Sequence, residues 1–194
     1  MREFKIKRRS LFEAHVGMYQ TWWGYYNDYV EATSVLIDAI NNNYPVHTIA
    51  SPLMFMIRHS LELGLKANII VLEKFSSAKP KIKFDGKSHS LELLYDYFIA
   101  HLNEIIAKTK IDDDIIEQID GYKVKLKNIK DILHKIDEGS YAFRYPVTVK
   151  KQLSLDPFEI INIADYVFLL REIDPFLKYT TNVLEEIGVI EEIN

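Results

Sequence analysis

The chain has no cysteine, and that absence removes any disulfide framework, any thiolate nucleophile and any thiolate metal site. It fits a reducing, cytoplasmic setting. Glycine is sparse, at 7 residues, and no glycines cluster into a phosphate-cradling loop or a dinucleotide fingerprint. No apolar run of about eighteen residues escapes interruption by charge, so a membrane span is not expected. The start, MREFKIKRRS, is basic but leads into no apolar signal core. An excess of positive charge is lacking too. The net charge is −4, which argues against nucleic-acid binding through overall charge. The six histidines fall in no HxxxH or HExxH spacing, and no nucleophile elbow occurs. Neither a metal nor another cofactor is therefore expected.

What is present suits one soluble domain. The 194 residues are 48% hydrophobic and 27% charged, with 12 Tyr and 10 Phe. Basic residues gather at 2–9, at 79–87, and at Lys123, Lys125, Lys127 and Lys130; acidic ones gather at 112–114 and 185–192. Each cluster alone reads as a solvated face, but three basic clusters meeting on one surface could hold a phosphate backbone.

Apolar residues recurring at three- and four-residue steps predict a helix near 20–42, ended by NNNYP. A second, longer helix is expected near 48–75, with Pro52 tolerated in its first turn. A third is expected near 88–108, capped by Ser88 or Ser90. A short acidic helix at 112–119 precedes another at 123–137. The alternation of Val147, Val149, Leu153 and Leu155 predicts a β-hairpin at 145–156. Asp156-Pro157 then reads as the start of a closing helix reaching 186, kinked or restarted at Asp174-Pro175. There is no internal repeat or linker. The expectation is a mainly all-α single domain over 1–194, with 1–19 as an N-terminal arm.

The second helix carries the clearest functional signal. PLMFMIRHSLELGLKANIIVL, residues 52–72, is apolar except for a few polar groups, among them Arg58, His59, Glu62 and Lys66. On a helix, His59, Glu62 and Lys66 share one face, with Arg58 one turn before Glu62. Ionised groups are costly to bury unless paired, so this face is either a closed polar network or a site in which Arg58, Glu62 and Lys66 bind a ligand. His59 reads as a general acid or base, or as a core histidine donating to a carboxylate. Arg144, between Phe143 and Tyr145 and ahead of Pro146, is a candidate fork for a phosphate or carboxylate, or the partner of Glu62. His89, at the start of a helix, is a proton donor, a phosphate ligand or a capping residue. Convergence of Glu62 and Arg144 within salt-bridge reach is expected.

Three marks, IRHSLELGLKANI at 57–69, SHSLELLYDYF at 88–98 and SYAFRYP at 140–146, resemble the HEPN superfamily of helical-bundle proteins. The resemblance covers roughly residues 20–185. It implies a helical bundle, a homodimer, and a role in a bacterial or phage defence or toxin–antitoxin system, acting on RNA or a nucleotide or binding a partner protein. Many such relatives are metal-independent ribonucleases with an Arg, four to six residues, then His. In this chain Arg58 is followed at once by His59, and Arg9 and His15 meet that spacing in the N-terminal arm. Two readings follow. One is a ribonuclease in which His59 or His89 moves the proton while Arg144 and Lys66 steady the phosphorane. The other is a non-catalytic nucleotide- or partner-binding module. The aromatic surface of Tyr19 to Tyr29 also points to a homodimer.

Overall fold

A computed structural model describes residues 8, 10, 13–15, 18–79 and 89–190. Among these residues the chain forms five helices and no strand: α1 (Trp22–Asn41), α2 (Val46–Leu72), α3 (Leu91–Lys108), α4 (Asp113–Ile136) and α5 (Ile163–Glu186). None is long and apolar enough to cross a membrane. The protein is an all-α helical bundle. Most of the expected arm at 1–19, the Ser88 cap and most of the first two basic clusters lie outside the described residues.

Three of the helices, α1, α3 and α5, start at a side chain that accepts one of their orphan amides. Thr21 Oγ1 accepts the Gly24 N–H at 2.9 Å to cap α1, and Ser90 rather than Ser88 caps α3. The turn after α1 ends in Asn43 at φ 67, a left-handed conformation that asparagine tolerates better than most residues. Helix α2 begins earlier than expected, at Val46, so Pro52 falls in its second turn rather than its first.

Helix α2 is the axle of the bundle and packs against α1, α3 and α5, while α4 closes the far side against α3 and α5. Residues 60–69 of α2 are all buried, which is why this helix is apolar nearly all round. Tyr26 of α1 lies across α2 with its ring over Gly64. A Cβ there would stand 2.8 Å from the Tyr26 ring and 2.9 Å from Leu177. This gap lets the fully buried tyrosine reach α5, where its hydroxyl donates to Asp174 at 2.7 Å. Asn68 ties α2 to α5 again, its amide donating to the carbonyl of Leu177 at 2.8 Å.

Three expectations about elements are corrected. The separate helices at 112–119 and 123–137 are one helix, α4, running through Gly121. The Cβ position of Gly121 faces open space, and the apolar residues on either side, Ile119 and Leu126, both reach the core. Packing therefore outweighs the modest helix cost of one glycine.

The closing helix starts at Ile163, not at 157. Asp156 Oδ1 accepts the Phe158 N–H at 2.9 Å and forms only a local turn. The chain stays non-helical until Asn162 caps α5 through the Ala164 N–H. Pro175 lies inside α5 without ending it.

Where a hairpin was expected, a single antiparallel bridge joins Val147 and Leu153. Pro146 has no N–H to extend a ladder, and Val149 and Leu153 are exposed, so no second layer supports strands there.

Candidate functional site

Glu62 sits at the centre of the polar exceptions on α2, and its carboxylate is almost wholly buried. Arg58, one turn earlier, donates from one terminal nitrogen to Glu62 Oε2 at 3.1 Å. Lys66, one turn later, reaches Oε1 at 2.8 Å. From α3's leading edge, His89 Nδ1 meets the same Oε1 at 2.8 Å. The His59 ring is further off, with Nδ1 at 3.8 Å from Oε2. Burial pushes the Glu62 carboxyl up, but His59, Lys66 and His89 together hold it down to about 2. Glu62 is therefore ionised at neutral pH despite its place in the core.

The predicted pair of Glu62 with Arg144 is not made. Arg58 takes that role because α-helical geometry already sets it against Glu62, with no loop to close. Arg58 was expected to bind a ligand, yet it is fully buried and each of its three guanidinium nitrogens donates within this chain. Its other terminal nitrogen donates to the His89 carbonyl at 2.7 Å. Its Nε donates to the Asp137 carbonyl at 3.3 Å and faces the Asp137 carboxylate at 3.5 Å. The guanidinium thus joins α2, the start of α3 and the end of α4. Burial pulls its pKa down, and Asp137 and Glu62 oppose that pull. Lys66, also expected at the ligand, turns inward to Glu62 and lies over the Trp22 ring at 5.7 Å.

Asp137 was missed by the sequence reading. Its Oδ1 accepts the amides of Tyr141 at 2.7 Å and Ala142 at 3.0 Å, which folds the 137–144 turn over the site. Within that turn Ser140 is buried and left-handed at φ 62, and its carbonyl accepts from Arg144 Nε at 2.6 Å. The acidic residue ahead of Gly139-Ser140 at the end of a helix was the available signal.

The outer layer differs in character. Arg144 is exposed and makes no ion pair with any carboxylate among the described residues. Its guanidinium packs between three rings, 5.7 Å from Phe55 and 5.6 Å from both Tyr141 and Tyr145. His59 stacks on the same Phe55 at 5.3 Å and meets the edge of Tyr29 at 4.6 Å. The His59 side chain is 22% exposed and that of His89 43%. The site is therefore two-tiered. An inner Arg58–Glu62–Lys66 row, balanced in charge by Asp137, lies beneath an accessible rim of His59, His89 and Arg144.

Among the described residues no group of histidines and carboxylates is arranged to hold a metal ion. The third basic cluster does not form an unopposed positive face. Lys123 pairs with Asp120, Lys125 with Glu172, Lys127 with Asp131, and Lys130 with Glu92 and Asp131. No protein family, curated protein or solved structure matches this chain.

Proposed function

We propose that the chain is a HEPN-like module of a bacterial or phage defence or toxin system. In this reading it acts as a homodimer that cleaves RNA without a metal, and His89 moves the proton. The observation that carries it is the 2.8 Å contact between His89 Nδ1 and the buried, ionised Glu62, combined with the exposure of the His89 ring. A carboxylate that takes the Nδ1–H leaves Nε2 of the neutral imidazole as a base. Nε2 would take the proton of a ribose 2′-hydroxyl. The 2′-oxygen then bonds to the adjacent phosphorus as the bond to the 5′-oxygen breaks. The products are a 2′,3′-cyclic phosphate and a 5′-hydroxyl, the leaving oxygen collecting a proton from His59 or water. Arg144, with no carboxylate competing for it, supplies the positive charge for the phosphorane oxygens.

The completeness of the inner network favours a second reading, a nucleotide- or partner-binding module without catalysis. Glu62 is already compensated by Arg58, Lys66 and His89, as a purely structural network requires.

One experiment separates the two. Purified protein is incubated with total RNA and tRNA in EDTA beside His89→Ala, His59→Ala and Arg144→Ala variants, with helicity checked by circular dichroism. The nuclease reading expects cyclic-phosphate products, reduced by about a hundredfold or more in folded His89→Ala. Uncut RNA with every protein, alongside nucleotide binding by the wild type, would establish the binding module instead.

A further inference from the structure

A cavity of about 600 Å³ opens between the end of α1, the start of α2 and the first turns of α5, away from the histidine rim. Its wall is apolar, formed by Ile37, Ile40, Val46, Ile161, Val167 and Phe168. That volume falls within the roughly 300–1,000 Å³ usual for small-molecule sites. Its mouth is built by Ile160, 96% exposed, and Phe168, 64% exposed, which leaves large apolar side chains in water.

A single cation, Arg171, lines this cavity. Among the described residues Arg171 has no ion-pair partner, because the carboxylates nearest to it in sequence are engaged elsewhere. Glu172 pairs with Lys125 at 3.4 Å. Asp174 accepts from Tyr26 and pairs with Lys178 at 3.0 Å. Asn162, the N-cap of α5, lines the same cavity about 13 Å along the helix from Arg171.

An apolar groove edged by one exposed guanidinium that makes no ion pair among the described residues, although Asp174 lines a neighbouring pocket with it, is chemically matched to a molecule with an apolar chain and one anionic end. We propose that this cavity binds a medium-chain carboxylate, its chain among the isoleucines and its carboxylate on Arg171. A planar guanidinium can grip a carboxylate with two parallel hydrogen bonds, so the head group fixes orientation while the chain provides burial. The site is independent of the RNA-cleaving reading, since none of its lining residues belongs to the His59–His89–Arg144 rim.

Calorimetric titration of the full chain with decanoate, kept below its micellar concentration, tests this directly. The controls are decanol, which keeps the chain and drops the charge, and acetate, which keeps the charge and drops the chain. Saturable one-to-one binding of decanoate is expected, weakened by about tenfold or more for decanol, for acetate and for Arg171→Gln. Ala164→Phe, at an exposed position lining the cavity, should abolish binding by filling the chamber, and Arg171→Gln keeps the test valid if that variant misfolds. Equal affinity for decanol and decanoate, unchanged binding by Arg171→Gln, or no saturable binding would overturn the proposal. So would light scattering that shows a dimer dissociated by Ile160→Asp, because a second copy would then occupy this face. RNA cleavage by Arg171→Gln should match that of the wild type.

Discussion

At the scale of residues, one carboxylate governs the interior. Glu62→Gln would take the counter-charge from Lys66 and leave Arg58 with Asp137 alone. The expected loss is about 3–5 kcal/mol, the range for breaking a buried pair from one side, measured as a lower urea midpoint. Gly64→Ala acts through shape alone. Its methyl group would press on the Tyr26 ring and on Leu177, for an expected cost of about 1–3 kcal/mol. Both are well-buried positions on α2 and differ in kind, so a salt-dependence series should leave the Gly64 effect unchanged. The sequence made the polar face of α2 legible because charged residues stand out in an apolar helix. It did not disclose which arginine pairs with Glu62. The i, i+4 spacing admits Arg58 as that partner, but no local pattern specifies that the 137–144 turn leaves Arg144 exposed. The bond from Arg58 to the His89 carbonyl was beyond reach for the same reason, since any residue carries that oxygen.

At the scale of elements, Gly121 is the most informative position. It sits mid-helix in α4 with no neighbour near its Cβ position. Gly121→Ala should therefore stabilise the protein by roughly 0.5–1 kcal/mol, read as a raised thermal midpoint with unchanged helicity. The break expected between 119 and 123 falls around this glycine, and the packing of Ile119 and Leu126 that joins the two halves is not visible in sequence. Asp156-Pro157 misled the sequence reading in the opposite direction. A favourable start signal was present, but among the described residues Phe158 and Ile160 stay 89% and 96% exposed, and the helix starts only after Asn162. Long segments with a buried stripe on one face, α1 and α3, were read to within a few residues.

At the scale of the whole molecule, acid should be the effective denaturant. Glu62 has an ordinary value of 4.5 and a folded value of about 2. A depressed carboxylate pKa stabilises the folded state above the unfolded value, and that contribution fades as pH falls from about 4.5 toward 2. Asp131 is held down as well, by Lys127 and Lys130, and shifts stability in the same direction. Urea midpoints should therefore drop steadily below about pH 4.5. Glu62→Gln, less stable at neutrality, should show a visibly shallower decline across the same window.

The three-way grip of Arg58 also has a consequence in time. Its guanidinium holds the carbonyls of residues 31 and 79 positions away along the chain, so the turn after α4 cannot peel off by itself without stranding a buried cation. The amides of Tyr141 and Ala142, although they belong to a surface turn, should exchange with deuterium as slowly as those of α2, through global opening alone. In Arg58→Lys, whose ammonium cannot span both carbonyls, the two amides should exchange early while the α2 core stays protected.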